Sequence, residues 1–417
     1  MSMKRYVLPC FALVGAVGVT TGCASDAGSG QSDGVTTLTF SMWAGSDAEN
    51  EALAALVEIV EDENPDIRLT LETAPFNDYW TKLAAQASGG AEACILGVQA
   101  PRTRGIQQLL LPLDEQVLDG AGIDMADFDP SISEAMQIDG VQMAVPYDLG
   151  PLIVFYNEEL FAEADVDAPS DGWTVEDFAT AAAALSVDGR YGYAANPILD
   201  SATAWSLTLS GTQGVTAGGE LDLSNPGMVE AIEFMQGMVA DGSAPELPAT
   251  SDTYNALNSF VAGDAAMVID GPWQLAYVGE QVPFDFGVAT IPAGADGSRT
   301  PVSGSGYGVS ASCEYPEEAA RAVASLTGSA AQTTLAEMGR AYPARIAEQP
   351  AYFEGDFGIA EDTLQEAGAS GEPFRSTTNF TQVNTLFNQY AVSALNGDMT
   401  AVDFLETVQS QTASGAK

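Results

Sequence analysis

Hydrophobic positions along the chain alternate between two periods. Leu38-Thr39-Phe40-Ser41-Met42-Trp43 reads as a strand, and Gly45-Ser46-Asp47 follows as a turn. Leu53, Leu56, Val57 and Val60 then recur at helical spacing until Asn64-Pro65 ends the run. Ile67 to Leu71 alternates again. Tyr79 to Ala87 is helical and stops at Gly89-Gly90, and Cys94 to Val98 is a short apolar strand. This strand–helix alternation predicts a parallel-rich sheet covered by helices.

The pattern resumes downstream. Leu152 to Tyr156 is an apolar strand. Thr174 can cap a helix reaching Leu185, with Asp177 at its third position. Asn225-Pro226 opens a helix to Val239, a cap followed by proline at the first helical position. Ala265 to Ile269 and Phe284 to Ile291 read as strands, Ser329 as a helix cap, and Gln382 to Leu395 and Ala401 to Val408 as the last helices. No internal repeat is visible.

Composition narrows the function. The chain has 417 residues, 46% of them apolar, enough for sizeable cores. It carries 13 Lys+Arg against 58 Asp+Glu, a net charge of −45. Such a surface repels phosphate backbones, so no nucleic-acid partner is expected. There is no histidine, which excludes a Ser-His-Asp triad, a Cys-His pair and a His-based zinc site. Cys10, Cys23, Cys94 and Cys313 show no paired metal-ligand spacing, so no metal is expected. No GxxxxGK[ST] loop occurs, and no cofactor is called for.

Met1 to Gly22 has a basic start, Lys4 and Arg5, then an apolar run from Tyr6 to Val19 that is short for a membrane span. It reads as a signal peptide. Thr20-Thr21-Gly22-Cys23 resembles a bacterial lipobox, with Thr20 where leucine is usual. Cys23 is thus the expected lipidation site. Residues 23–36 are mostly small and polar, as in a flexible tether. The expected location is the outer face of the bacterial cytoplasmic membrane, held by the lipid.

Several segments together resemble one family. Leu111-Pro112-Leu113, Val145-Pro146-Tyr147-Asp148 and Val154-Phe155-Tyr156-Asn157-Glu158-Glu159-Leu160-Phe161 are three of them. Gly172-Trp173-Thr174-Val175-Glu176-Asp177-Phe178, the run from Phe260 to Trp273, Gly304-Ser305-Gly306-Tyr307-Gly308-Val309-Ser310 and Tyr342-Pro343-Ala344-Arg345 complete the set. In this order they resemble the extracellular solute-binding proteins of sugar ABC importers, the group that includes maltose-binding protein. The resemblance implies an α/β, two-lobed periplasmic-binding-protein-like fold of type II. Two or three crossings form its hinge, and ligand sits between the lobes. Carried onto this chain, lobe one is 37–147 plus 303–347 and lobe two is 148–302 plus 348–412. It also implies a monomer that binds a small carbohydrate, serves a permease and catalyses nothing. A non-sugar solute (a polyol, peptide or metal chelate) is the alternative. A secreted glycoside hydrolase, needing only two carboxylates, is a further one.

A sugar site needs flat aromatic faces for the rings and carboxylates or amides for the hydroxyls. Trp273 is the leading candidate, since it matches a ligand-stacking tryptophan of the family. Trp43 and Asp47 follow, at the junction of the first strand and its helix. Of the neighbours Tyr79 and Trp80, one is expected in the cleft and one in the core, with Tyr79 preferred for the cleft. Gln99 ends the third strand. Asp148 lies at the first expected crossing, and Ser305 and Tyr307 at the second. Trp205 precedes a Gly-Thr-Gln-Gly turn, and Arg375 can pair with an acid or meet a ligand. The resemblance also sets the strands of Cys94 and Cys313 side by side, antiparallel, with both cysteines at the end away from the cleft. A disulfide and two buried thiols both remain open.

Overall fold

A computed structural model describes residues 30–32, 34–249, 255–355 and 357–412. The expected signal peptide and the expected lipidation site, Cys23, lie outside the described residues. Residues 23–29 of the expected tether also lie outside them, while 30–32 and 34–36 are described. Strand β1 (Gly30–Ser32) folds back antiparallel on the start of β2 (Val35–Trp43) and belongs to the first sheet.

The first lobe begins with β2, whose outward-alternating start gives way to a continuous buried run. Helix α1 (Asp47–Glu63) covers it with Ala52, Leu53, Leu56 and Val60. Its cap is Ser46, not Asp47: Ser46 Oγ accepts the Glu49 N–H, and the Glu49 side chain closes the box. Strand β3 (Ile67–Ala74) pairs parallel with β2, and α2 (Phe76–Gly89) leads to β4 (Ile95–Gln99) on the other side of β2. Parallel β2, β3 and β4 therefore end together at Trp43, Ala74 and Gln99. The short strand β5 (Val145–Pro146) brings the chain to the first crossing.

The second sheet is antiparallel. Its central strand is β6 (Ile153–Asn157). Helices α3 (Val175–Leu185), α4 (Leu199–Ser210) and α5 (Pro226–Ala240) follow. Thr174 and Asp177 form the expected capping box on α3. Strands β7 (Met267–Asp270) and β8 (Phe286–Thr290) flank β6, one on each side. One face of this sheet shares the long core of the first lobe; the other packs on α3–α5.

Strand β9 (Thr300–Val302) carries the chain back, and β10 (Ser305–Val309) enters the first sheet antiparallel to both β4 and β5. A third crossing near Tyr342–Gln349 returns to the second lobe. Here β11 (Gly371–Pro373) pairs with β9, and α6 (Phe380–Leu395) and α7 (Ala401–Thr412) pack on α5. Backbone bridges Asp148–Pro343 and Pro151–Val302 tie the crossings to one another. Gly304 makes this possible: a β-carbon there would sit 2.4 Å from the Asp148 carbonyl oxygen.

Cys94 precedes β4 and Cys313 follows β10. The antiparallel register, Val309 opposite Ile95, brings them to one end of the sheet, where they form a disulfide with Cα atoms 4.8 Å apart. That end is opposite Gln99 and Trp43.

Candidate functional site

The interlobe cleft is bounded on one side by the ends of β2, β3 and β4. Trp43 closes β2 and meets Phe76, Tyr79 and Trp80 at ring-centroid distances of 5.4–5.5 Å. Within this cluster Tyr79 is the core member. It is 1% exposed, and its hydroxyl donates to the Gly97 carbonyl at 2.9 Å. The half-buried neighbour is Trp80, whose indole N–H has no partner. The sequence preference between the two is thereby reversed. A tyrosine whose hydroxyl is satisfied inside the sheet packs as a pillar, while Trp80 is one helical step further round.

Arg102 lies just past β4, in a tight turn that begins at Ala100. Its guanidinium stands 4.6 Å from the Trp80 ring centroid and 5.9 Å from that of Phe76. Its Nε donates to Gln99 Oε1 at 3.1 Å, so Gln99 serves the arginine here. Burial pulls the guanidinium down to about 10, and the charge of Asp200 works against that. Asp47 is exposed at the start of α1.

The facing wall belongs to the second lobe. Asp270 ends β7 opposite Ile153, where β6 begins. Its carboxylate accepts the Gly271 N–H at 2.8 Å, and the Trp273 side chain beside it favours the ionised form. Burial nonetheless raises it to about 7, and the neighbouring charge of Asp200 pushes the same way. Asp200, near the start of α4, accepts from Ser303 Oγ at 3.0 Å, and its burial also raises it. Trp273 is half-buried, and its ring edge packs on Gly150 and Gly271, where side chains would collide with it. Its indole is thus seated against two glycines, next to Asp270.

The hinge forms the floor. Asp148 is 7% exposed, and its carboxylate accepts the Ser305 N–H across two crossings. Burial pushes it up to about 7, against the hydrogen bonds of Ser305 and the charge of Arg340. Tyr307 is fully buried in β10 and stacks on Tyr147 at 4.8 Å. Arg340 reaches Glu49 of α1 at 3.5 Å. Asp148, Ser305 and Tyr307 are therefore hinge parts.

Two candidates fall elsewhere. Trp205 is completely buried inside α4, wedged between Phe178, Tyr193 and Phe234. It offers no face to a ligand, because α4 is buried along most of its length. Arg375 lies 3.9 Å from Glu372 beside β11, and its backbone N–H donates to Gln213. The residues the sequence left out are Arg102, Asp200, Asp270 and Trp80 as a cleft face. With 13 cations in 417 residues, an arginine directly after a predicted strand was a usable signal. Asp200 had none, since the helix it opens was not read.

The arrangement is a cleft with half-exposed tryptophans on both walls and buried carboxylates beside one of them. It can stack flat ring faces and accept hydrogen bonds from hydroxyls. Among the described residues no cluster of His, Cys, Asp and Glu could hold a metal ion. No helix among them is long and apolar enough to cross a membrane.

Residues 55–352 match the family model of the bacterial extracellular solute-binding proteins. A putative binding protein of Brucella abortus is 29% identical over 249 residues, 57% of this chain and 59% of that relative's length. An ABC substrate-binding protein from Listeria monocytogenes, solved in complex with cycloalternan, superposes with a TM-score of 0.81 at 22% identity. That match covers 91% of this chain and 99% of the other. A maltose-bound protein from T. maritima superposes with a TM-score of 0.77 at 19% identity, over 91% and 99%. At these identities the structures speak to the fold.

Proposed function

The chain belongs to the bacterial extracellular solute-binding proteins, and from that premise we propose that it captures an extracellular carbohydrate between its lobes and presents it to the permease of an ABC importer. The observation that carries the reading is Trp273: a half-buried indole, seated against two glycines beside Asp270, on the cleft wall near a second carboxylate. A sugar offers an apolar ring face for such a platform and hydroxyls for Asp270 and Asp200.

The mechanism follows from the three crossings. Each wall supplies part of the contact set, Trp80 and Arg102 on one side, Trp273, Asp270 and Asp200 on the other. Only the closed state engages both, so ligand shifts the open–closed equilibrium toward closure. The closed surface is what the permease reads, and nucleotide hydrolysis occurs on another chain. Asp200 and Asp270 both stand on one wall. Glycoside hydrolysis needs carboxyls flanking the scissile bond, so this placement favours a binder. The same reading holds the protein as a monomer, exported and anchored by a lipid on Cys23. Its lobes divide near residues 147, 303 and 347.

A thermal-shift screen of the chain from Ala24 onward, against mono-, di- and oligosaccharides, polyols and amino acids, tests this. A sugar at 100 times its Kd stabilises the fold by about 2.7 kcal/mol. Trp273→Ala is expected to weaken that sugar roughly tenfold to a hundredfold, the loss of one stacked face. A shift from an amino acid but no sugar would refute the carbohydrate assignment and leave the fold untouched.

A further inference from the structure

Segment 100–106 of the first lobe meets the second lobe at three points. A β-carbon on Gly105 would come within 3.3 Å of the Thr378 carbonyl oxygen. The Arg104 guanidinium passes 3.4 Å from where a Gly219 β-carbon would stand. Between them, Arg102 Nη1 donates to Thr381 Oγ1 at 3.3 Å, and its guanidinium lies 5.8 Å from the Phe380 ring centroid. Thr381 and Phe380 form the first turn of α6, a second-lobe helix. The same guanidinium is fixed on the first-lobe side by Gln99 and Trp80. One planar group therefore binds both walls at once.

Charge gives the contact its purpose. With 58 acids against 13 bases, the two lobes repel each other as they close. Asp200 lies buried on the second-lobe wall and attracts Arg102. Arginine suits the position: its flat, weakly hydrated fork stacks on an aromatic face while its edge still donates hydrogen bonds. The stack also occupies the half-buried face of Trp80, one of the platforms a ring-shaped ligand would use.

We propose that Arg102 is an interlobe clasp that biases the two lobes toward closure, binding Trp80 and Gln99 on one lobe to Phe380 and Thr381 on the other. An incoming ring that takes the Trp80 face displaces the guanidinium from it and adds its own contacts to both walls, so ligand still shifts the equilibrium toward closure. The clasp holds whatever solute the cleft takes, so its test needs no ligand and stands apart from that of the carbohydrate reading.

The test is small-angle X-ray scattering on the ligand-free chain from Ala24, wild type beside Arg102→Ala, with circular dichroism to confirm folding. A closed body of this length has a radius of gyration of roughly 21 Å, and Arg102→Ala is expected to exceed wild type by about 1 Å with unchanged secondary structure. Arg102→Lys keeps the charge but loses the planar stack and fork, and is expected to open part-way. Thr381→Val removes only the second-lobe acceptor, should fold like wild type, and opens the body less. Identical scattering from wild type and Thr381→Val together with Arg102→Ala or Arg102→Lys would overturn the clasp. So would a wild type already as expanded as Arg102→Ala.

Discussion

Replacing Cys94 and Cys313 together by alanine is expected to lower the unfolding free energy by about 3–5 kcal/mol. The bridge joins residues 219 apart in sequence, across a stretch that leaves the first lobe, builds much of the second and returns. Without the bridge, the unfolded chain must close that whole loop before β10 can pair with β4. The entropic cost rises only slowly with loop length, but this loop is at the long end. Alanine is preferred to serine because Cys94 is 4% exposed and would bury a hydroxyl. Urea unfolding of wild type and variant, followed by far-UV circular dichroism, measures the loss. Since the disulfide sits at the end of the sheet away from Trp43 and Gln99, ligand affinity should not change. An unchanged urea midpoint would show that the loop is already held in the unfolded ensemble. A change in affinity at unchanged stability would show that the two ends of the sheet are coupled.

That disulfide also marks the limit of what local sequence encodes. Strand and helix order was legible wherever apolar period and caps agreed, as in the Thr174 box and the Asn225-Pro226 opening. Whether two cysteines meet depends on register, and register between β4 and β10 is a tertiary fact. Helix α4 is not legible in the sequence for a related reason. It is buried along most of its length, so it shows no polar face and no helical period. Trp205, which the sequence places only before a Gly-Thr-Gln-Gly turn, is therefore a core residue. The choice between Tyr79 and Trp80 hinged on about 100° of helix rotation, which α2 resolves by giving the tyrosine hydroxyl a backbone carbonyl. The place of Trp273 just past a strand end was legible because a glycine and a proline fix the chain locally there. Arg102 and Asp200 were not, because their meaning lies in what the opposite lobe places against them.

The hinge carries the second large effect. Asp148→Asn is expected to gain stability relative to wild type as pH rises from about 4 to 7, by up to about 4 kcal/mol, and to hold that gain above pH 7. The sign comes from the direction of the shift. Asp148 is raised from an ordinary carboxylate value to about 7, chiefly by burial. Between the unfolded and folded values the native state binds a proton that the unfolded state has released, so wild type loses stability as pH rises through that window. Above about 7 the native carboxyl ionises as well and the loss stops growing. Asparagine presents the same carbonyl oxygen to the Ser305 N–H and titrates nowhere in this range. Other groups face the position: Arg340, Glu49, Tyr147, Tyr307 and Tyr352. All are present in both proteins, so to first order their titration cancels in the difference, as does that of the many surface acids. Arg340 is the one real opponent, because a cation beside a carboxylate favours its ionised form. Urea unfolding of both proteins at half-unit steps from pH 4 to 9 decides between burial and pairing. A difference rising to a plateau near pH 7 means that burial wins and that the crossings are held by a carboxyl that keeps its proton through mild acid. A flat difference means that Asp148 is ionised throughout. A falling one means that the Arg340 pair, not the Ser305 hydrogen bond, fastens the hinge.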